Sequence, residues 1–179
     1  MLDTTNTALL IIDVQGKLAQ IMDEKEALFG NLETMVKGAN ILGLPTLWVE
    51  QLPDKLGTTI SQITDNIELQ KPVVKSTFSA YRNPEFAAAL KATDCKNVLV
   101  TGIEAHICVY QTAIDLHDAG YHVEVISDAV SSRTPQNKQL ALDKMQHAGI
   151  NLTCTEMALF ELQSIAEGER FKQMLKIIK

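Results

Sequence analysis

The sequence predicts a doubly wound α/β fold: a single-domain three-layer sandwich with a six-stranded, mainly parallel sheet of strand order 3-2-1-4-5-6. Six short apolar runs rich in β-branched residues alternate with longer segments of helical period, which is typical of a parallel sheet covered by helices. These runs are continuously apolar, as strands buried on both faces are. A length of 179 residues corresponds to about one domain, so residues 1–179 are expected to form one unit.

Turn and capping residues separate the predicted elements. Gly43, with Pro45 just beyond it, ends one helix, and Asn83 and Pro84 open another as its N-cap and first residue. The predicted strands are residues 8–13, 45–50, 72–75, 97–102, 121–126 and 150–154. The predicted helices are residues 28–42, 84–92, 107–117 and 136–148, with a last helix from residue 169 to the end. Residues 51–70 are the least regular, and we expect loops with a helical turn there.

Composition argues against several kinds of partner. Sixteen basic and 22 acidic residues give a net charge of −6 without a basic cluster, so we expect neither nucleic acid nor an anionic membrane to bind. No apolar run reaches the roughly 18 residues of a membrane span, and the N-terminus lacks the basic start of a signal peptide. Cys95, Cys108 and Cys154 have no CxxC spacing, which indicates a reducing, cytoplasmic location without a disulfide framework or zinc site.

Three chemically active residues follow strands at the predicted carboxyl edge of the sheet, where ligands bind in open α/β folds. Asp13 ends strand 1, Lys75 ends strand 3, and Cys108 stands near the first turn of the helix after strand 4. Each has an ordinary interpretation: a loop cap, a solvated lysine and a packed thiol, respectively. Their coincidence at one edge favours a nucleophilic site, provided that Lys75 reaches inwards across strand 2.

A helix N-terminus stabilises a thiolate, so the sequence predicts a lowered pKa for Cys108, from about 8.5 towards about 6. The gain in thiolate is largely offset by lower nucleophilicity, which leaves a net benefit of only a few-fold in rate. One oxyanion-hole donor contributes about 10²–10³ in rate. Backbone N–H groups in the loop 102–107 are therefore expected to matter more than thiol activation.

These residues resemble the isochorismatase-like cysteine hydrolases over nearly the whole chain. The shared features are D-x-Q at Asp13 and Gln15, a lysine after strand 3, and G-I-x-x-x-x-C-V from Gly102 to Val109. The resemblance implies a catalytic triad of Asp13, Lys75 and Cys108.

The resemblance also implies a cis peptide between Ile103 and Glu104, with the backbone N–H groups of Glu104 and Cys108 as the oxyanion hole. The motifs E-Q-x-P-x-x-L-G-x-T, from Glu50 to Thr58, and K-S-T-F-S-A-Y, from Lys75 to Tyr81, look like the isochorismatase domain-containing subgroup. Nicotinamidases of this superfamily bind a metal through an Asp and several His after strand 2. That segment here, WVEQLPDKLG, has no histidine, so we expect no metal and no cofactor.

Five residues are expected to line the substrate pocket: Gln15, Gln51, Phe78, Tyr81 and Ile103. The two aromatic residues could equally belong to the core, and the two glutamines could equally satisfy loop backbone.

The sequence leads to two hypotheses of different class. The first is a hydrolase of a small amide or related C–N bond that acts through a thioester-type intermediate, with Cys108 as nucleophile, Asp13 as acid and base, and Lys75 as charge stabiliser. The second is an oligomeric binding or scaffold protein of the same fold without significant turnover. Isochorismate hydrolysis is less favoured, because true isochorismatases lack a cysteine at this position. The expected partners are a small-molecule substrate and further copies of the chain, as a dimer or larger.

Overall fold

A six-stranded parallel sheet forms the centre of the computed structural model, which describes residues 1–67 and 71–178. Its order is β3-β2-β1-β4-β5-β6, and every neighbouring pair is parallel, which confirms the predicted topology. The strands are β1 (Thr7–Ile12), β2 (Thr46–Gln51), β3 (Val73–Lys75), β4 (Asn97–Ile103), β5 (His122–Ser131) and β6 (Asn151–Thr153).

Helices follow most strands and return the chain from the carboxyl ends of the strands to their amino ends. They are α1 (Gly16–Gln20), α2 (Lys25–Leu42), α3 (Pro53–Leu56), α4 (Ser61–Thr64), α5 (Pro84–Ala92), α6 (Tyr110–Asp118), α7 (Pro135–His147), α8 (Thr155–Gln163) and α9 (Gly168–Ile177). A 3₁₀ turn occupies Ala80–Arg82, and a single π turn occupies Ala105–Val109.

Local sequence explains two of the helix boundaries. Gly43 adopts φ 71° as the left-handed residue that ends α2, a conformation that costs glycine little. The side chain of Asn83 accepts a hydrogen bond from the Phe86 N–H at 3.1 Å and caps α5, which begins with Pro84. Both predicted boundaries are confirmed.

Two apolar clusters, one on each face of the sheet, make the three layers. Successive residues of β1 point to opposite faces, so Leu9 and Ile11 enter one cluster whereas Leu10 and Ile12 enter the other. The first cluster is completed by α2, α8 and α9, and the second by α5, α6 and α7. Because both faces are covered, β1 is buried along its whole length.

The elements differ from the sequence prediction in several places, and the short helix α1 was not predicted. The irregular segment 51–70 contains two short helices, α3 and α4, and its last three residues lie outside the described part of the chain. The strand β5 continues to Ser131, five residues past its predicted end. The helix α8 was not predicted, because it starts two residues after β6 without a turn signal between them.

Gly102 allows β1 and β4 to approach each other at the edge that carries the site. It pairs with Ile12 and has φ 111°. A Cβ atom there would lie 2.1 Å from the Ile12 carbonyl oxygen, so only glycine fits. This close approach brings the loop after β4 alongside the residue that follows β1.

Within the described residues, no helix combines the length and apolar character that crossing a bilayer requires.

Candidate active site

Asp13, Lys75 and Cys108 lie at the carboxyl edge of the sheet. Asp13 follows β1 with φ 52°, a left-handed conformation that aspartate tolerates better than most residues. Lys75 is the last residue of β3, and Cys108 lies in the π turn directly after β4. The neighbouring positions of β1 and β4 in the sheet bring Asp13 and Cys108 to the same place.

Lys75 reaches the site by crossing β2. Its Nζ lies 2.6 Å from Asp13 Oδ2, and the two residues are 1% and 2% exposed. The same ammonium donates to Gln51 Oε1 at 2.9 Å and to the carbonyls of Thr77 and Phe78 at 3.1 and 3.2 Å. The buried cation is thus satisfied by one carboxylate and three neutral oxygens, and its hydrogen bonds go to these groups rather than to the thiol.

The Cys108 thiol is protonated in the unliganded site. Burial is the largest cause that raises the pKa of Cys108 to about 12, and the negative charge of Asp13 adds to it, while Lys75 opposes it. The predicted lowering of this pKa towards 6 is therefore wrong. The reason is that Cys108 precedes α6 inside a buried π turn that faces carboxylates, where desolvation outweighs the helix N-terminus. The thiol donates to Gln51 Oε1 at 3.5 Å.

Asp13 combines one paired and one unpaired carboxylate oxygen. Oδ2 accepts from Lys75, whereas Oδ1 is buried without a hydrogen-bond partner among the described residues. Burial raises the pKa of Asp13 above its usual value, and Lys75 counteracts this shift. Asp13 and Cys108 are close enough for each to shift the pKa of the other. A carboxylate with one unpaired oxygen therefore lies near the thiol.

The loop between β4 and α6 offers backbone donors on the other side of the thiol. The Ile103–Glu104 peptide is cis, where the resemblance implied a cis bond. The Glu104 carbonyl accepts from the N–H groups of Ile107 and Val109 at 3.0 and 3.3 Å. In this wide turn the N–H of Cys108 does not donate to that carbonyl. The Glu104 N–H has no hydrogen-bond acceptor among the described residues.

A cavity of about 80 Å³ opens onto these groups. It is lined by Asp13, Leu18, Gln51, Leu56, Phe78, Ile103, Glu104, Ile107 and Cys108. Three of the predicted pocket residues, Gln51, Phe78 and Ile103, lie on its wall. Leu18, Leu56 and Ile107 were not predicted, because the short helices α1 and α3 that carry the first two are too brief to show a helical period.

Two predicted pocket residues lie elsewhere. Gln15 is fully buried, accepts from the Gln51 N–H at 2.7 Å and donates to the Gly57 carbonyl at 2.6 Å, so it ties the loop after β2 to β1. Tyr81 packs edge-to-face on Tyr121, with ring centroids 5.9 Å apart, because the 3₁₀ turn directs it away from the cavity. The prediction that either lines the pocket is wrong.

Over residues 1–67 and 71–178, no three His, Cys, Asp or Glu side chains converge in an arrangement that would hold a metal ion.

A family model described as the isochorismatase domain matches residues 7–157. The chain belongs to the isochorismatase family. The secreted isochorismatase effector Isc1 of Phytophthora sojae is 36% identical over 97% of this chain and 85% of that protein. The isochorismatase domain-containing protein 2 of Rattus norvegicus is 33% identical over 97% of this chain and 81% of that protein. The resemblance inferred from the sequence motifs is therefore confirmed.

Two solved structures carry the same fold. The MAR1 ribonuclease of Caenorhabditis elegans is 34% identical, with a TM-score of 0.92 over 99% of this chain and 91% of that one. The YcaC protein of Escherichia coli, described as an octameric hydrolase of unknown specificity, has a TM-score of 0.94 over 99% and 88% of the two chains. At 22% identity, this second likeness concerns the fold alone.

Proposed function

We propose that the protein is a cysteine-dependent hydrolase of a small amide or related C–N bond. The observation that carries the proposal is the Asp13 carboxylate near the Cys108 thiol, with Oδ2 held by Lys75 and Oδ1 without a hydrogen-bond partner among the described residues. A buried, unpaired acceptor is costly to a fold and needs a reason. A base that must receive a proton during the reaction supplies that reason.

In the acylation step, Cys108 Sγ forms a bond to the substrate carbonyl carbon as its proton moves to Asp13 Oδ1. A thiol of pKa about 12 is ionised in about one molecule in 10⁵ at pH 7, so attack must accompany this proton transfer rather than await a preformed thiolate. The carbonyl π electrons move onto oxygen, which the N–H groups of Glu104 and Cys108 stabilise as an oxyanion hole. Lys75 balances the negative charge around Asp13 throughout.

Collapse of the tetrahedral intermediate breaks the C–N bond, and the leaving amine takes the proton from Asp13. Water then attacks the thioester carbon while Asp13 accepts its proton. The second collapse releases the carboxylic acid, and the departing sulfur regains a proton from Asp13. Each proton taken up by Asp13 is thus returned, and the net reaction is hydrolysis of one bond.

A screen of small amides that compares the wild type with Cys108→Ala tests this proposal. We expect release of ammonia or amine by the wild type alone, with an acyl adduct on Cys108 in quenched samples. Turnover that survives in Cys108→Ala contradicts it. Identical folding of the two proteins, checked by circular dichroism, is the control.

The raised pKa of the thiol is also compatible with one competing function, an oligomeric binding protein without significant turnover. An unreactive thiol beside a small cavity suits a binder as well as it suits an enzyme at rest. The two functions separate in the same screen, because a binding protein retains ligand affinity in Cys108→Ala and forms no adduct in the wild type.

The relative named as a ribonuclease raises RNA as a substrate, and the charges of this chain disfavour it. The net charge is −6, and among the described residues that line the cavity none is Lys or Arg. A phosphate would face Asp13 and Glu104, whose paired cations Lys75 and Arg133 do not line the cavity. We therefore expect no cleavage of a fluorescently labelled RNA.

We also propose that the chain forms a homo-oligomer and acts in the cytoplasm. Val74 on the edge strand β3 is 49% exposed, which suits a covered surface, and YcaC, which has a similar fold, is described as octameric. The cysteines of the described chain are unpaired, and a nucleophilic thiol stays reduced in the cytoplasm. Sedimentation velocity tests the oligomeric state, and a monomer would contradict the proposal. Fractionation of the source cells tests the location.

A further inference from the structure

We propose that the cavity accepts an uncharged substrate and selects against one that carries a carboxylate or phosphate close to its reacting carbonyl. The inference rests on the proposed function, since it concerns the substrate that Cys108 would attack. It depends on three features of the site: where its one buried cation is bound, which charges its wall carries, and how the Gln51 amide is oriented.

The positive charge nearest to the cavity is not available to a ligand. Lys75 is 1% exposed, and an ammonium has three hydrogens to donate. Four oxygens already lie within 3.2 Å of its Nζ: Asp13 Oδ2, Gln51 Oε1 and the carbonyls of Thr77 and Phe78. An anionic substrate group would have to displace one of these buried partners.

The charged groups on the cavity wall are negative. Asp13 and Glu104 line it, and none of the other described lining residues is ionised as a cation. Glu104 Oε2 accepts from Arg133 Nε at 3.1 Å, but the Arg133 side chain is 54% exposed and lies outside the lining. A second anion about 6 Å from Asp13, at an effective dielectric constant of about 20, would be disfavoured by about 10² in affinity if Asp13 stood alone, and the Lys75 ammonium 2.6 Å from Asp13 reduces this to about threefold.

Gln51 supplies the polar recognition that a neutral substrate needs. Its Oε1 accepts from Lys75 at 2.9 Å and from Cys108 at 3.5 Å, and an ammonium can only donate, which fixes this atom as the oxygen. The Gln51 NH₂ group therefore points away from Lys75, and it donates to none of the described residues. On the wall of the cavity, this amide matches an uncharged acceptor such as a carbonyl or ether oxygen.

The remaining wall is apolar. Leu18, Leu56 and Ile107 line the cavity, and Phe78, which is 52% exposed, stands at its mouth. An uncharged acyl chain would cover these side chains, whereas a terminal carboxylate would lose its hydration against them without gaining a partner.

Two activated esters of equal chain length test the inference: p-nitrophenyl hexanoate and mono-p-nitrophenyl adipate, in which a carboxylate replaces the terminal methyl group. The rate of p-nitrophenol release is measured above the Cys108→Ala background, together with the acyl mass on Cys108. We expect kcat/KM to be at least about fivefold higher for the hexanoate ester, from the residual repulsion together with the lost hydration of the carboxylate. Equal rates, or a preference for the adipate ester, would overturn the inference.

Phe78→Lys and Phe78→Met form a matched pair that tests whether charge is the cause. The two side chains have similar length, and the position is exposed enough to accept either. We expect Phe78→Lys to shift the hexanoate-to-adipate ratio about tenfold towards adipate relative to Phe78→Met. An unchanged ratio in the pair would mean that the preference does not arise from charge, which contradicts the inference.

The outcomes also separate this inference from the function on which it rests. Acylation of Cys108 by both esters at equal rates would remove the charge selectivity and leave the nucleophile in place. Acylation by neither ester, in a wild type that is folded by circular dichroism, would contradict the proposed function and the inference with it.

Discussion

The two ends of β4 each carry a buried cysteine, and the two cysteines differ in the groups that surround the thiol. Cys95, just before the strand, is 3% exposed, and Cys108, just after it, is 7% exposed; both belong to the same apolar cluster. The Cys95 thiol donates to the Thr93 carbonyl of its own turn at 3.6 Å. The Cys108 thiol contacts Gln51 and lies beside Asp13 and its lysine partner. Residue type and burial therefore do not decide which thiol lies beside a base and a cation.

Topology explains the difference. At the carboxyl edge of a parallel sheet the chain leaves the adjacent strands β3, β2, β1 and β4 at the same level, so residues far apart in sequence meet there. Lys75 and Asp13 are separated by 62 positions and lie 2.6 Å apart. At the amino edge, the N–H groups of Lys96 and Asn97, at the start of β4, donate to Asn6, which lies just before β1. This turn has structural contacts only.

The largest expected effect is the contrast between the two thiols. Cys108→Ala should lower kcat/KM for any substrate by at least about 10³-fold, because it removes the nucleophile. Cys95→Ala should change kcat/KM by less than about threefold and cost about 1 kcal/mol of stability through a small cavity. Steady-state kinetics with urea denaturation measure both. A comparable loss of activity in the two variants would contradict the account.

The next effect concerns the proton acceptor. Asp13→Asn keeps the shape of the side chain but cannot take up the thiol proton, so kcat should fall by about 10²–10⁴-fold. The acylation rate of Cys108 in single-turnover experiments is the direct readout. An Asp13→Asn variant that acylates at the wild-type rate would mean that the thiol proton goes elsewhere.

A third effect concerns the stability of the buried ion pair. Lys75→Met leaves Asp13 buried without its cation and should reduce the free energy of unfolding by about 3–5 kcal/mol. The double variant Asp13→Asn/Lys75→Met removes both charges and should recover most of that loss while remaining inactive. Urea denaturation of the single and double variants tests this. A double variant no more stable than Lys75→Met would show that packing, rather than charge, dominates.

The smallest effect is the pH dependence of thiol labelling. Because burial raises the pKa of Cys108 to about 12, its labelling by iodoacetamide in the unliganded protein should rise about tenfold per pH unit from pH 7 to pH 10. A free thiol of pKa about 8.5 levels off by about pH 9.5. Peptide-resolved mass spectrometry separates Cys108 from the more exposed Cys154. A plateau below pH 8 at Cys108 would contradict the raised pKa.

Patterns of local sequence were enough to predict most elements, because continuous apolar runs and capping residues such as Asn83 act within a few positions. The sheet order was predicted as the common order of doubly wound folds. The motif residues also led to the correct edge of the sheet for Asp13, Lys75 and Cys108. The helix α8 escaped prediction because β6 passes into it without a turn residue.

Properties that depend on tertiary surroundings could not be predicted from the sequence. The pKa of Cys108 depends on its burial and on charged groups from two other segments, Asp13 and Lys75, so the nearby helix N-terminus was a misleading guide. Gln15 and Gln51 are similar in sequence context, yet one is bound to loop backbone and the other faces the cavity. Tyr81 points away from the cavity because it lies in a 3₁₀ turn that its motif did not indicate.

Single-turnover acylation with p-nitrophenyl hexanoate, quenched in acid and resolved by peptide, tests the central claim most directly. The account predicts an acyl adduct on Cys108, none on Cys95, and a rate of formation that falls by about 10² or more in Asp13→Asn. An adduct that forms on Cys95 as fast as on Cys108, or a Cys108 rate that Asp13→Asn leaves unchanged, would contradict it.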